Sequence, residues 1–304
     1  MIKISVIIPC KNENVDIKDC LGSIFNQTFP KKYYEVLIVD GGSTDGTLDI
    51  LNKYKQIKVI QEFGKHKSAA NARNIGAKQA KGKILVFMDA DTAYNAAYLE
   101  RIYEHFKDLK IHAATAKSVD FKNSTFLAKC YYAERCASTK KVHFGVHCVR
   151  KDVFEKLGGF NPKLGFGEDA DLWSRFVKAG YKAVYESRAI SEHKEPRTWK
   201  EIWHESKWFG GTMLSLFVTN PAVGIKPLVG IAYRTIAPWI LAAWLISGNI
   251  FCFFFSLIWF VENFYKILKS LSVSKYVLPS LLLPIFKTIR YYALGINVIR
   301  AIKF

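Results

Sequence analysis

The sequence predicts an α/β domain with a mostly parallel central sheet and helices on both faces, followed by a helical region of membrane character. Over roughly the first 200 residues, short apolar runs alternate with helix-like patterns, as in βαβ units. One apolar run, Ile84–Met88, ends abruptly in Asp89-Ala90-Asp91. Closer to the carboxyl terminus, Leu228–Tyr265 is nearly all apolar and too long for one ordinary membrane crossing of about 20 residues.

The composition of the 304-residue chain limits the kinds of partner that it could bind. With 50% hydrophobic residues, the chain can form one ample core and still leave an apolar remainder. The formal net charge of +18 implies an anionic partner or surface. Lys and Arg are scattered, without an RNA-binding signature or zinc-finger spacing, so we expect no nucleic-acid partner. The apolar carboxyl-terminal third makes a membrane surface the better explanation of the charge.

The six cysteines indicate a cytoplasmic setting. No two of them form a Cys-x-x-Cys pair, and their density is far below that of a secreted disulfide scaffold, so we expect buried, reduced thiols. Met1 runs at once into a strand pattern, without the basic and apolar regions of a leader. We therefore expect no cleavable signal peptide.

The first two strand patterns each lead into a polar turn and a helix. Ile4–Pro9 ends at a proline, and helical periodicity then runs from Ile17 to Phe25. The second strand pattern, Glu35–Asp40, ends in an acid. It leads into Gly41–Thr47, a turn whose hydroxyl and Asp side chains suit the cap of the next helix.

The next two strand patterns continue this alternation. Lys58–Ile60 precedes a helix of small residues from Ser68 to Ala80, and Gly82 follows it as a stop signal. Ile84–Met88 is a continuous apolar run, as expected of a strand buried on both faces of a sheet. The spacing of these elements predicts a βαβ array.

Asp89 and Asp91 are the candidate centre of a ligand site. They lie one residue apart after a central strand, and open α/β sheets bind ligands beyond the carboxyl ends of their strands. Carboxylate oxygens suit Mg²⁺ or Mn²⁺, which usually bridge to substrate phosphates. An isolated Asp-x-Asp is more often a solvated turn or a helix cap; the motifs that precede this one favour the metal site.

Four motifs together resemble the family 2 glycosyltransferases, which have the GT-A fold, a Rossmann-like sheet. In chain order they are Val6–Pro9, Val39–Thr47, Ala70–Gly76 and Asp89–Asp91. The likeness extends to Gly158-Gly159-Phe160 and Gly167–Leu172, so it covers roughly residues 1–200. A Rossmann dehydrogenase would instead need Gly-x-Gly-x-x-Gly after the first strand, where this chain has Pro9–Glu13.

The resemblance implies a hexosyltransferase that uses a nucleotide-diphospho-sugar donor. It places the nucleoside beside Pro9, Glu13 and Asp40, with Asp40 accepting from the base. Arg73 would face the diphosphate or order that site, and an ion pair between helix and sheet is the alternative. Asp89 would bind the nucleotide and, with Asp91, hold Mn²⁺ or Mg²⁺, which neutralises the leaving diphosphate.

A second acidic group, in Gly165–Asp171, is the candidate for acid–base chemistry. Three acids in four positions exceed what a helix cap needs. The resemblance implies that Asp169 is the general base, with Glu168 beside it, for deprotonating an acceptor hydroxyl. A lipid phosphate acceptor would need no base, and the two acids would then only position it. The sequence leaves both alternatives open.

Histidines and one arginine complete the candidate site. The resemblance implies that His193 is a third metal ligand, against the alternative of a surface histidine in a charged loop. Arg197 is a possible diphosphate contact. His143 and His147 flank Gly145 in a strand-like stretch, where packing is the simpler role and lining of the acceptor site the alternative.

From Trp199 onward the pattern becomes amphipathic and then apolar. Trp199–Phe217 predicts an interfacial helix, with a buried globular helix as the alternative. We expect Leu228–Tyr265 to form a transmembrane hairpin that turns at Ser247-Gly248-Asn249; one long tilted span is the alternative. The basic flanks place both hairpin ends in the cytoplasm. Tyr276–Ile299, broken by prolines, predicts a kinked interfacial or re-entrant helix.

These observations predict three regions: a cytoplasmic GT-A domain (1–198), an interfacial segment (199–225) and a membrane region (226–304). We expect a multi-pass protein of the cell membrane, a metal-dependent, inverting glycosyltransferase that acts on a polyprenyl phosphate or polyprenyl-linked glycan. The alternatives are a non-catalytic nucleotide-sugar-binding scaffold and a processive polysaccharide synthase. A synthase would carry Gln-x-x-Arg-Trp, whereas this chain has His204–Trp208 at the corresponding place.

Overall fold

The computed structural model describes residues 1–62, 67–120, 124–138, 146–164, 167–206, 221–248, 250–273 and 276–302. The chain divides into two structural units. The first joins Met1–Phe121 to Val142–Lys194, and the second joins Lys122–Lys141 to Glu195–Phe304. The second unit therefore takes one segment from the middle of the chain.

One sheet organises the first unit. Within the described residues its strands are β1 (Ile4–Cys10), β2 (Tyr34–Asp40), β3 (Ile57–Gln61), β4 (Ile84–Phe87), β5 (Thr92–Tyr94), β6 (Ala113–Asp120), β7 (Cys148–Arg150) and β8 (Ala183–His193). Their order across the sheet is β3-β2-β1-β4-β7-β6-β8-β5. β1 to β4 are mutually parallel, as predicted. β7 lies antiparallel to β4 and β6, and β5 antiparallel to β8, so the other half of the sheet is mixed.

Helices cover both faces of this sheet, as predicted. They are α1 (Ile17–Phe25), α2 (Thr47–Leu51), α3 (Ala69–Gln79), α4 (Tyr98–His105), α6 (Lys151–Lys156) and α7 (Glu168–Lys178). Side chains of β1 alternate between two buried clusters: Ile8 packs with α1 and α4, whereas Ile7 packs with α3, α6 and α7. This alternation follows from the two-residue period of a strand.

β1 continues through Pro9 to Cys10 instead of ending at the proline. Proline lacks the N–H that a sheet neighbour on that side would need. β4 pairs with β1 only as far as Ile7. The missing N–H of Pro9 therefore lies beyond the last paired residue, where the pairing of β1 with β4 does not need it. The proline thus lies next to the carboxyl end of β1.

α3 lies very close to β1. A Cβ added at Gly76 would come to 2.4 Å from Cγ2 of Ile7, far inside van der Waals contact. Ser68 caps the helix by accepting a hydrogen bond from the amide of Asn71. This close packing holds the helix, with Arg73 on it, against the sheet.

The second unit is helical within the residues described. It contains α5 (Phe126–Ser138), α8 (199–206), α9 (Pro221–Ser247), α10 (Ile250–Val273), α11 (Val277–Leu281) and α12 (Leu283–Ile302). Ile202 of α8, Cys130 and Tyr131 of α5, and Phe286 of α12 form its apolar cluster. The predicted break in Tyr276–Ile299 is present, at Leu282 between α11 and α12.

A buried polar network also holds this unit together. Arg290 of α12 donates to Glu134 of α5 at 2.9 Å and to the hydroxyl of Tyr131 at 2.5 Å. That hydroxyl in turn donates to Glu205 of α8. Because Glu134 is 2% exposed, removing its partner would leave a buried charge.

The long apolar stretch is broken where a turn was predicted, at Gly248, which has a φ of +65°. Among the described residues, one helix is long and apolar enough to cross a membrane, Val229–Ser247, with a mean hydropathy of 1.5. In the described part of the predicted interfacial segment, Ile202 is 2% and Trp199 50% exposed. The rest of that pattern, with Phe209, Met213, Leu214 and Phe217, lies outside the described residues, as does Asn249.

Candidate active site

The loops that follow β1 and β2 form one side of the candidate site. The two strands run side by side, so their loops emerge together. The amide of Asn12 donates to Ser43 Oγ at 2.9 Å, and the amide of Thr44 donates to Asn12 Oδ1 at 2.8 Å. The amide of Glu13 donates to Thr47 Oγ1 at 2.8 Å. These bonds fix both loops as one surface.

Asp40, at the end of β2, is fully buried beneath this surface. Its carboxylate accepts from the amide of Gly42 at 2.9 Å and from the hydroxyl of Ser43 at 2.5 Å. A carboxylate has about four acceptor positions, so capacity remains for another donor. The predicted contact between Asp40 and a nucleobase stays a prediction.

Glu13 lies among several other acids. Burial raises the pKa of Glu13 to about 8, and the negative charges of Asp91, Asp16, Asp45 and Asp89 add to the increase. A site with this much negative charge favours a cation, which would lower the pKa of its carboxyls again. The electrostatics of this edge of the sheet therefore suit a divalent metal ion.

Asp89 and Asp91 lie directly beyond β4, and tertiary contacts fix their backbone. The amide of Asp89 donates to the hydroxyl of Tyr94 at 2.9 Å, and the Cys20 thiol donates to the carbonyl of Asp89 at 3.4 Å. His193 ends β8, and its Nε2 lies 3.6 Å from Oδ2 of Asp91. The structure thus brings His193 to the acidic pair, although about 100 residues of chain separate them.

Carboxylate and imidazole groups fit the chemistry of Mn²⁺, and Mg²⁺ would use the carboxylates. Asp89, Asp91 and His193 are the predicted ligands of such an ion, and this assignment stays a prediction. In the part of the chain that the structure describes, no three His, Cys, Asp or Glu side chains form a complete metal cluster. Since these ions commonly take one or two carboxylates and complete their shell with substrate phosphates, a partial protein shell fits that role.

The pKa values of the two acids shift in opposite directions. Desolvation opposes the charged form of Asp89, but Arg73, followed by His193 and His147, outweighs it and holds the pKa of Asp89 below its ordinary value. For Asp91, burial and the nearby charge of Asp89 raise the pKa despite His193. A cation bound between the two acids would relieve the repulsion that raises the pKa of Asp91.

Arg73 of α3 joins the two acidic groups that the sequence singled out. Its guanidinium lies 2.8 Å from Oδ1 of Asp89 and 2.8 Å from Oε1 of Glu168. It also lies over the ring of Phe160, 5.6 Å from the centroid. Arg73 therefore orders both acids in this state of the protein, and its predicted contact with a diphosphate stays a prediction.

The Gly158-Gly159-Phe160 motif is fastened to α3 through Asn74. The amide side chain of Asn74 donates to the carbonyl of Phe160 at 2.8 Å, and its Oδ1 accepts from the amide of Phe160 at 2.9 Å. Gly159 has a φ of +71°, and an added Cβ would lie 2.7 Å from Asn74 Oδ1. Only glycine fits this position, which explains the motif physically.

Glu168 and Asp169 begin α7, but they occupy different environments. Gly167, with a φ of +79°, turns the chain into the helix. Glu168 is held by Arg73, and burial, with the charge of Asp169, raises the pKa of Glu168. Asp169 is exposed, and its Oδ1 accepts from the amide of Ala170. Asp169 is thus the more solvent-accessible acid of the pair.

Two family profiles match this chain. The one described as "Glycosyl transferase family 2" matches residues 5–148, and "Glycosyl transferase family group 2" matches residues 84–298, well over half of the chain. The chain belongs to the family 2 glycosyltransferases.

Individual proteins agree with this assignment. The chain is 33% identical to "Glycosyltransferase AglE" of Haloferax volcanii over 62% of its length and 66% of that protein. It is 26% identical to a "Dolichyl N-acetyl-alpha-D-glucosaminyl phosphate 3-beta-D-2,3-diacetamido-2,3-dideoxy-beta-D-glucuronosyltransferase" of Methanococcus voltae, over 62% of its length and 66% of that protein. The chain thus spans just under two thirds of each relative.

A solved structure supports the GT-A fold. The mannosyltransferase PcManGT from Pyrobaculum calidifontis, in complex with GDP-Man and Mn²⁺, aligns with 98% of this chain and 87% of its own, at a TM-score of 0.62 and 20% identity. At this identity the likeness establishes the architecture alone.

The structure also positions residues of this glycosyltransferase that the sequence did not reveal. Lys194 donates to Asp16 and to Asp19 of α1, at 2.7 Å each, and so anchors the end of β8 beside His193. No local pattern predicts these partners, because α1 is far away in sequence. The sequence showed only that a charged residue directly follows the predicted histidine ligand.

Other predicted residues lie elsewhere or outside the description. Arg197 belongs to the second unit, where its amide donates to Glu201 at 2.7 Å, and its role stays a prediction. His143, Gly165 and Phe166 lie outside the described residues.

Proposed function

We propose that this glycosyltransferase transfers one sugar, with inversion, from a nucleotide-diphospho-sugar to a polyprenyl phosphate or polyprenyl-linked glycan, using Mn²⁺ or Mg²⁺. The observation that carries the proposal is the convergence of Asp89, Asp91 and His193 at the carboxyl edge of the sheet. A bound metal would neutralise charge on the departing nucleoside diphosphate. The relatives' names supply the reaction class, and the Methanococcus enzyme's name supplies a lipid-linked precedent.

On the donor side, Pro9, Glu13 and Asp40 would line the nucleoside. The two joined loops make this surface rigid before the donor arrives, which reduces the entropic cost of binding. Arg73 would serve the same end by holding Asp89 in place through a charge-assisted bond. Its planar guanidinium also suits phosphate oxygens, should the donor displace Glu168 from it.

On the acceptor side, Asp169 would accept the proton of an attacking hydroxyl, since it is the exposed acid at the start of α7. Glu168, held by Arg73, would position the acceptor. If the acceptor is a polyprenyl phosphate, its oxygen is already anionic and Asp169 has no proton to remove. The rate of the Asp169→Asn variant therefore distinguishes the two acceptor classes.

The membrane part of the proposal rests on the second unit. The apolar helix Val229–Ser247 and the turn at Gly248 support a hairpin of α9 and α10 in the cell membrane. The formal charge of +18 would hold the protein on anionic headgroups from the cytoplasmic side. A lipid-linked acceptor needs an enzyme at the bilayer, which this arrangement provides.

The proposal is tested by measuring sugar transfer and donor binding with the full-length protein in detergent. A panel of nucleotide sugars, each with and without Mn²⁺, should contain one donor that raises the melting temperature by mass action. That donor should support transfer to polyprenyl phosphate or to a polyprenyl-linked glycan. Asp91→Asn should abolish both effects, and Asp152→Asn, at an exposed position of α6, should change neither.

Full activity after exhaustive chelation would contradict the role of the metal. Asp169→Asn should lower transfer to a hydroxyl acceptor by about two to four orders of magnitude while donor affinity is unchanged. A near-normal rate of Asp169→Asn would instead identify a phosphate acceptor.

A further inference from the structure

Three basic side chains of the second unit converge on one carboxylate oxygen. Oε1 of Glu262 lies 2.9 Å from Arg234, 2.5 Å from Lys266 and 3.9 Å from Lys287. The four residues come from three helices, α9, α10 and α12. None is well solvated, since their side chains are between 5% and 26% exposed. One carboxylate balances only one of the three basic side chains, so an excess of positive charge remains.

A cleft opens beside this cluster. It is lined by Arg234, Glu262 and Lys287 together with Trp259, Asn263 and Thr288. The enclosed part of the cleft is far too small for a nucleotide sugar, so a ligand of the basic side chains would lie at its mouth.

One polar group at the cleft is unsatisfied. Nε of Arg234 is buried without a hydrogen-bond partner among the described residues. Buried donors usually have a partner such as a water or an ion. This donor is cationic, so the fitting partner is an anion.

The position of the cluster in the hairpin indicates where that anion comes from. Arg234 and Glu262 lie equally far from Gly248 along the chain, about 21 Å of helix at about 1.5 Å per residue. A hydrocarbon core is about 30 Å thick, so the cluster lies about 9 Å short of the headgroups opposite the turn. Long basic side chains bridge such a distance toward a headgroup phosphate. The helix surface around it is apolar, with Phe254 56% and Phe264 63% exposed.

We propose that Arg234, Lys266 and Lys287 bind the phosphomonoester headgroup of a lipid. A phosphomonoester carries a charge of about −1.5 to −2 at pH 7, whereas a phosphodiester carries one charge, so a cluster with an excess of basic side chains favours the phosphomonoester. The inference goes beyond the proposed reaction, because a lipid would bind here whether or not sugar transfer takes place. It rests on the proposed membrane hairpin of α9 and α10.

The test is a binding measurement with the full-length protein in neutral detergent, without donor or metal. Thermal unfolding is followed while phosphatidic acid, phosphatidylglycerol or inorganic phosphate is added at matched ionic strength. Phosphatidic acid should raise the melting temperature at a concentration about tenfold or more below that of phosphatidylglycerol. An equal, lysine-dependent effect of inorganic phosphate would support the site and assign it to free phosphate.

Substitutions separate an anion site from a structural cluster. Lys266→Gln with Lys287→Gln should weaken phosphatidic acid binding about tenfold or more, and Lys200→Gln, at an exposed position of α8, should leave it unchanged. Glu262→Gln should strengthen binding, because it removes the competing carboxylate. This increase keeps the proposal testable if the double variant fails to fold. Equal effects of the two phospholipids, binding that survives the loss of both lysines, or weaker binding by Glu262→Gln would overturn it.

Discussion

Replacing Arg73 with methionine removes the guanidinium that joins Asp89 to Glu168. In the unsubstituted protein, each carboxylate lies 2.8 Å from a different nitrogen of that guanidinium. Methionine keeps most of the apolar stem and removes the guanidinium, with its charge, its hydrogen bonds and its contact over the ring of Phe160. The substitution therefore measures what the two ion pairs contribute to the stability of the first unit.

The exposure of each partner sets the expected magnitude. Asp89 is 51% exposed, so water replaces most of its lost pair, and we expect about 0.5–1 kcal/mol from this side. Glu168 is 14% exposed, and an unpaired buried carboxylate costs up to about 3–5 kcal/mol unless it takes up a proton. Because burial already raises the pKa of Glu168, protonation limits this cost to about 2–3 kcal/mol. The total for Arg73→Met is about 2–4 kcal/mol.

The assay is urea unfolding at pH 7, with a double-mutant cycle that adds Glu168→Gln. The cycle should give a coupling energy of about 1–2 kcal/mol between Arg73 and Glu168. Arg73→Lys should recover about half of the loss, since one ammonium does not span both carboxylates. Arg175→Met is the matched control, because Arg175 and Asp171 are each about a third exposed, and it should cost about 1 kcal/mol or less.

A loss below about 0.5 kcal/mol for Arg73→Met, or a coupling energy near zero, would refute the reasoning. The guanidinium would then be a solvated neighbour of both acids rather than the group that orders them. Retained donor affinity in a destabilised Arg73→Met protein would, in addition, remove Arg73 from the predicted diphosphate site.

Three further predictions concern stability. Hydrogen bonds from Arg188 lower the pKa of Glu186 from 4.5 to about 2, so the charged carboxylate should contribute about 2 kcal/mol to the free energy of unfolding above pH 4.5. The difference in urea stability between the wild type and Glu186→Gln should therefore disappear as the pH falls through about 2. Gly76→Ala places a Cβ 2.4 Å from Cγ2 of Ile7 and should cost about 1–3 kcal/mol, measured by urea unfolding. Truncation after Pro196 removes α8 and α12, the partners of α5, and should yield aggregates on size-exclusion chromatography; a monodisperse, folded fragment would contradict this.

The sequence predicted the parts of the molecule that local patterns encode. The parallel strands follow from short, continuous apolar runs such as those of β1 and β4, because such a run predicts a strand buried on both faces without reference to distant residues. Asp89 and Asp91 were visible as acids at the end of such a strand. The left-handed glycines Gly159 and Gly167 likewise carry a conformational requirement of their own.

Only the tertiary structure decided which of these groups meet. Arg73 reaches Glu168 across 95 residues of sequence, and Lys194 reaches Asp16 across 178. The three-residue strand β7 is too short to carry a readable period, yet it sets β4 and β6 antiparallel to itself and so fixes the second half of the sheet. The arrangement around Glu262 likewise needs three helices in place.

The membership of α5 in the second unit shows the same division. Its sequence predicts neither its partner helix nor its unit, because an amphipathic pattern states that one face is buried but not against what. Glu134 accepts a hydrogen bond from Arg290, 156 residues away, because the fold places α12 beside α5. Periodicity is a local property of the chain, whereas pairing depends on the path of the whole backbone, so a sequence determines faces and motifs and the fold determines their partners.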